Sequence, residues 1–225
     1  MGLAALHEGH RILPDIFGRA EMRELLGHLS RADLKRSKGG ARHLLAVAAV
    51  RELAEDARMR QLASEFLEVD AIPFKATLFD KSRRANWLVA WHQDTALPLQ
   101  RRTDDPDWGP WSMKAGLLYA HAPAWALEQV VALRVSLDDS SADNGPLRVL
   151  PNTHRGGVLT AEEIKRFERE VPPVECVTPS GGVIVMRPLA VHASSKSASA
   201  RPRRVLHIEY ATLVNLGTGI ELAVA

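Results

Sequence analysis

Residues 86–94 read NWLVAWHQD, an apolar and aromatic run ending in one histidine and one aspartate separated by a single residue. Its β-branched and aromatic content favours a pleated strand. On a strand, residues i and i+2 face the same side, so His92 and Asp94 present an imidazole and a carboxylate together while Gln93 faces away. A motif this short is common by chance, and His207-Ile208-Glu209 is a second example in the same chain. Its surroundings therefore decide its meaning.

Around this stretch lie further β-rich segments: FKATLFD before it, then AGLLYAH, EQVVALRVSLDD, PLRVLP, GGVIVMRP and RRVLHIEYATLV after it. Asp143-Asn144-Gly145-Pro146 and Pro179-Ser180-Gly181-Gly182 are turn signals, each followed at once by such a segment. The first seventy residues have a different texture. Ile16, Phe17, Met22, Leu25, Leu26 and Leu29 recur at helical spacing, which predicts a helix over 19–28, and two more are expected over 44–56 and 59–67. KRSKGGARH at 35–43 reads as a basic loop. TAEEIKRFERE at 160–170 reads as a short inserted helix capped by Thr160.

Helices first and seven or eight short strands after predict an α+β fold whose core is a double-sheet jelly roll. We expect one domain over 1–225. Residues 1–70 would be mainly helical support packed on one sheet, and residues 71–215 the jelly-roll core, with inserts at 95–114 and 155–172.

Composition bounds the partners. With 29 Lys and Arg against 27 Asp and Glu, the net charge of +2 is too small and too scattered for a nucleic-acid-binding face. The longest apolar runs, such as LLAVAAV at 44–50, fall short of the ~20 residues of a membrane span. The start, MGLAALHEGHRIL, interrupts its apolar residues with His, Glu and Arg, unlike a secretory signal. The single cysteine, Cys176, allows no internal disulfide and fits burial in a protein of a reducing compartment. The expectation is a cytoplasmic protein acting on a small molecule.

His92 and Asp94 need a third ligand, and the best candidate is His192 in MRPLAVHASS, directly after the apolar segment GGVIVM. Two histidines and one carboxylate on one face leave three positions of an octahedral ion open, as in non-haem Fe(II) oxygenases. Eleven residues after His192 comes Arg203, a side chain suited to gripping a carboxylate with two hydrogen bonds. Pro202 cannot donate to a ladder, so a strand is expected to begin at Arg203. Arg203, Val205, His207 and Glu209 would then share one face, and Arg204, Leu206, Ile208 and Tyr210 the other.

WHQD, DNGPLRVLPNTHRGG at 143–157 and the distal His followed by Arg eleven residues on resemble, in that order, the phytanoyl-CoA dioxygenase family of Fe(II)/2-oxoglutarate oxygenases. The likeness runs over roughly 74–210. It implies a cupin-like double-stranded β-helix, with His92, Asp94 and His192 holding Fe(II) and Arg203 binding the distal carboxylate of 2-oxoglutarate. Ser194 falls where a hydroxyl assists the same co-substrate, and Arg134 where a side chain lines its pocket. One departure is Asn152-Thr153-His154, where the family usually has Gly-Ser before the His.

The resemblance further implies that O2 and 2-oxoglutarate are consumed, that succinate and CO2 are released, and that a small organic molecule is oxidised; cations of the insert that face the pocket would make that molecule an anionic one. Asp94 favours hydroxylation, because related halogenases have a small residue in its place. His207 and Glu209 are expected to serve core hydrogen bonding, and His121 and His154 to be structural or pocket-lining. Substrate contacts are expected from Lys75 and from the insert residues Arg101, Trp108, Trp111 and Lys114, with the insert acting as a lid. Two competing functions are an oxidative nucleic-acid dealkylase, disfavoured by the weak basicity, and a non-enzymatic jelly-roll binding module.

Overall fold

The computed structural model of the protein describes residues 8–37, 39–82, 85–216 and 219–225. The start MGLAALH, together with Lys38 of the basic segment, lies outside the described residues. In chain order the elements begin with β1 (His10–Leu13), α1 (Arg19–Arg31), β2 (Arg36–Ser37), β3 (Gly40–Arg42), α2 (Ala48–Glu55) and α3 (Ala57–Leu67). Next come β4 (Ile72–Lys81), β5 (Val89–His92), β6 (Ala96–Leu99), β7 (Trp111–Lys114), β8 (Leu117–His121), α4 (Ala124–Glu128) and β9 (Val130–Ser136). The chain then forms β10 (Leu147–Val149), α5 (Ala161–Glu170), β11 (Val174–Cys176), β12 (Val183–Met186), β13 (His192–Ser194) and β14 (Arg203–Ala211).

Every named strand pair is antiparallel. The large sheet has the order β1-β12-β9-β14-β4-β3-β2, and a four-stranded sheet has the order β11-β10-β13-β5. These are the two layers of the expected jelly roll. β14 begins at Arg203, as Pro202 predicts, and it lies between β4 and β9 in the middle of the large sheet.

Period-two alternation splits β4, β9 and β14 into two faces. One face carries Ala76, Leu78, Val131, Leu133, Val135, Leu206 and Ile208, all buried in one cluster with Met22, Leu25, Leu29, Val50, Met59 and Phe66 of the three long N-terminal helices. The helices therefore pack on one sheet, as expected. α1 runs to Arg31, beyond the expected 28, because Leu29 continues the buried stripe. The opposite face carries Lys75, Thr77, Phe79, Lys81, Arg134, Ser136, Arg203, His207 and Glu209 and turns towards the four-stranded sheet.

Local structure departs from the expectations at 35–43 and 44–56. The basic 35–43 segment, expected as a loop, folds into β2 and β3, with β3 extending the sheet beside β4, and β1 pairs along β12. Open sheet edges offer unpaired N–H and C=O groups, which these short strands cover. Within residues 95–114, β6 and β7 pair with β8 in a separate three-stranded sheet. The 44–56 helix is divided, with a 3-10 turn at Leu44–Ala46 before α2. α5 keeps its expected cap: Thr160 Oγ1 accepts from the Glu163 N–H, and Glu163 reaches back to the Thr160 N–H.

Candidate metal centre

His92 is the last residue of β5, and β5 pairs with β13 so that His92 stands opposite His192. Asp94 lies just past the strand end, where its N–H donates to the Pro188 carbonyl at 2.9 Å. Residues far apart in the chain thus meet on one side of the small sheet. His92 Nε2 is 3.5 Å from Asp94 Oδ1, and His192 Nε2 is 3.5 Å from Asp94 Oδ2. A divalent first-row ion with bonds of about 2.0–2.2 Å sets neighbouring donor atoms roughly 3 Å apart, so the set needs little adjustment to hold one.

Each imidazole is oriented by its own backbone. His92 Nδ1 donates to the Ala90 carbonyl at 2.8 Å, and His192 Nδ1 donates to the Ala190 carbonyl at 2.9 Å. Both Nε2 atoms are therefore left with a lone pair for a metal, the tautomer that ligation requires. Burial pushes His192 down to about 4, against the pull of Asp94, so it is a neutral ligand at neutral pH. Burial opposes charge on His92 as well, but Asp94 outweighs it and raises that group. For Asp94 itself burial favours the protonated form, yet His192 and His92 hold the carboxylate well below its usual range.

A second trio, Asp94 with His207 and Glu209, also comes together. Its capacity is already taken. Lys75 Nζ contacts Glu209 Oε2, His207 Nε2 donates to Glu209 Oε1 at 3.3 Å, and Arg134 donates to His207 Nδ1 at 2.9 Å. Burial would lower Lys75, but Glu209 outweighs it and keeps the ammonium charged. His207 and Glu209 thus link Arg134 to Lys75 across the inner face of the large sheet, the hydrogen-bonding role expected of them.

Beside the histidines opens a cavity lined by Phe79, Trp87, Arg134, Leu147, His192, Ser194 and Arg203 among others. Arg203 donates to Ser194 Oγ at 3.3 Å, while the Nε groups of Arg203 and Arg134 are buried without a partner. Burial and the neighbouring Arg134 bring Arg203 down to about 10, so it remains a cation at neutral pH. Two guanidiniums with unspent donors fit an anionic ligand that also reaches the metal. Arg204, on the other face, is committed to Asp138 through bonds of 2.7 Å.

The five residues expected to contact substrate separate. Lys75 and Lys114 lie over the Tyr119 ring, at 5.8 and 4.9 Å from its centroid, and both feel the charge of Asp94. Arg101 is exposed and donates to the Gly219 carbonyl. Trp108 is 3% exposed and packs with Leu97, Leu99 and Phe74, so it anchors the insert. Trp111 carries Arg102 over its ring. None of the five lines the cavity.

Sequence reasoning missed Lys81, Phe79 and Trp87. For the first two the signal was present: counting by twos from Lys75 along FKATLFDK reaches Phe79 and Lys81 on the same face. Gln93 also acquires a role. Its amide donates to the carbonyls of Gly157 and Leu189, and its oxygen accepts from the Leu159 N–H, pinning the 157–159 segment behind the metal strand. Asn152, at the family's glycine position, adopts φ +66°, a conformation that Asn tolerates better than most residues. Thr153 keeps the expected hydroxyl, which donates to the Leu150 carbonyl and accepts from the Val191 N–H. His121 Nδ1 pairs with Thr95 Oγ1, and the His154 ring packs against Gly9.

The comparisons with known proteins agree with this architecture. The L-proline trans-4-hydroxylase of Streptomyces griseoviridis is 25% identical over 170 residues, which are 63% of this chain and 54% of that enzyme. The match therefore spans about half the length of that relative. Among solved structures, EctD from S. alaskensis with 2-oxoglutarate and 5-hydroxyectoine superposes with a TM-score of 0.71 at 20% identity, covering 94% of this chain and 75% of that one. AviO1 from Streptomyces viridochromogenes gives 0.64 at 22% identity, covering 91% and 90%. The family model for phytanoyl-CoA dioxygenase matches residues 12–205. With the two-layer β fold, the His-Asp-His set and the cationic cavity in place, the chain belongs to the phytanoyl-CoA dioxygenase family.

Proposed function

We propose that the protein is an Fe(II)- and 2-oxoglutarate-dependent hydroxylase of a small organic molecule, acting as one catalytic domain in the cytoplasm. The observation that carries this is the convergence of His92, Asp94 and His192 on a cavity that also holds two buried, partly unpartnered arginines. When bound, iron with 2-oxoglutarate supplies O2 activation, releasing succinate and CO2. The protein orients the reactants and excludes water around them.

In this proposal His92, Asp94 and His192 hold the metal through Nε2 and carboxylate atoms. Arg203 binds the distal carboxylate of 2-oxoglutarate, with Ser194 beside it and Arg134 along the cavity wall. Asp94 occupies the position that a halide would need, which favours hydroxylation. Lys114, on the Tyr119 side of Asp94, favours an anionic substrate, whereas the charge of Lys75 is met by Glu209. The buried Cys176 thiol, pushed up to about 12 by its surroundings, is not a nucleophile.

Anaerobic addition of Fe(II) and 2-oxoglutarate should give a weak visible charge-transfer band, and admission of O2 should then release succinate. His92→Ala should abolish both. Arg203→Ala should keep iron binding and weaken 2-oxoglutarate by roughly 30-fold or more. The absence of a band in the wild type, or an unchanged band in His92→Ala, overturns the proposal. A substrate screen read by succinate release then tests the small anionic class.

A further inference from the structure

Among the described residues, Lys81 is a buried cation that faces no carboxylate. The residue is 1% exposed, yet its ammonium donates to Ser194 Oγ at 2.8 Å and to the Ser195 carbonyl at 2.5 Å and lies 5.4 Å from the centroid of the Trp87 ring. All three partners are neutral. Burial, Arg203 and Arg134 push it down to about 8. A buried charge is costly unless an opposite charge meets it, and Lys75, six residues earlier on the same strand, has Glu209 for that purpose. Lys81 instead stands directly across the ladder from Arg203, which adds a second positive charge to the same place.

Ser194 joins the two. Its Oγ accepts from Lys81 and from Arg203 and donates to the Gly145 carbonyl at 2.8 Å. A hydroxyl has one proton and two lone pairs, so this one is fully committed. It fixes two cations and has no proton left for a ligand. Gly145 makes the arrangement possible: at φ +71°, a Cβ there would lie 2.3 Å from the Ser195 carbonyl and 3.3 Å from Lys81 Nζ. The Asn144-Gly145 turn thereby brings its carbonyl to Ser194 and leaves room for the lysine.

We propose that Lys81 is a positioning residue of the 2-oxoglutarate site: with Arg203 it holds Ser194 in place and adds the positive charge that the distal carboxylate of 2-oxoglutarate neutralises. The inference rests on the oxygenase proposal above, and it changes the part played by Ser194 from a donor to the ligand into the link between two cations.

The test compares two ligands on anaerobic protein loaded with Mn(II) in place of Fe(II), by calorimetric titration. 2-Oxoglutarate has the distal carboxylate, and 2-oxovalerate has the same keto-acid head and chain length without it. Lys81→Met should weaken 2-oxoglutarate by roughly ten- to a hundred-fold and leave 2-oxovalerate unchanged, while Lys81→Arg restores most of the difference. Equal losses for both ligands, an undiminished 2-oxoglutarate affinity, or an arginine variant no better than methionine would overturn the proposal. If thermal unfolding shows that Lys81→Met is not folded, Lys81→Arg against Lys81→Gln decides, with only arginine keeping the preference for 2-oxoglutarate. Wild-type protein that binds Mn(II) but neither ligand overturns the oxygenase proposal together with this one. Normal wild-type binding with an unaffected Lys81 variant overturns this one alone.

Discussion

The two faces of the large sheet are built by the same strands and have opposite characters. On β14 the outward residues Leu206, Ile208 and Tyr210 pack under the helices, where even the Tyr210 hydroxyl is bonded to the Ala54 carbonyl. The inward residues Arg203, His207 and Glu209 are just as buried, and they are charged or polar. Burial on one side stabilises the fold by removing apolar surface from water. On the other it costs energy, which the Lys75–Glu209–His207–Arg134 chain offsets through charge pairing. The cavity beside the candidate metal site lies where that offset is incomplete, at Arg134, Arg203 and Lys81. Buried polar groups with unspent donors mark where a ligand completes the structure.

The contrast can be broken from the outside. Leu206→Ala deletes a fully buried side chain from the helix-packed face and should cost about 3 kcal/mol of unfolding free energy. In the folded fraction 2-oxoglutarate affinity should stay the same. Chemical denaturation and a binding titration on one sample check both halves, and a parallel loss of affinity would show that the faces are not separable.

A smaller effect is expected behind the metal strand. Gln93→Ala leaves the carbonyls of Gly157 and Leu189 and the Leu159 N–H without their partner, at a cost of about 1–3 kcal/mol. Limited proteolysis should then cut near 157–160, where the wild type resists. An unchanged cleavage pattern would deny Gln93 its pinning role.

The smallest effect concerns pH. Free Lys81 titrates at about 8, and a bound carboxylate raises that value, so the ammonium form is the binding form. Affinity for 2-oxoglutarate should be full below about pH 8 and decline several-fold as pH rises through that value. Arg203, held at about 10, stays charged through most of this range. A flat titration of affinity between about pH 7 and 9 would remove Lys81 from the site's electrostatics.

Much of the metal centre was legible before folding, since His92 and Asp94 share a side by strand period and His192 and Arg203 follow at spacings that match the family's order. The face assignment of β14 was legible for the same reason. The insert was not: Trp108 in a polar loop context reads as available for contact, but the hydrophobic cluster around Phe74 and Leu97 claims it. Nor does local sequence reveal the edge strands β1, β2 and β3, whose partners are remote.

By itself, then, the sequence determined which residues alternate together, where the turns fall and which side chains have the chemistry to hold a metal and a dicarboxylate. Only the tertiary structure decided how those groups divide their bonds. Lys75 meets Glu209 and is neutralised, whereas Lys81, on the same face of the same strand, meets Ser194 and Arg203 and is not. Period and composition are local properties of the chain. Whether a buried charge finds its counter-charge depends on which strand lies alongside, and that is set when the sheet assembles.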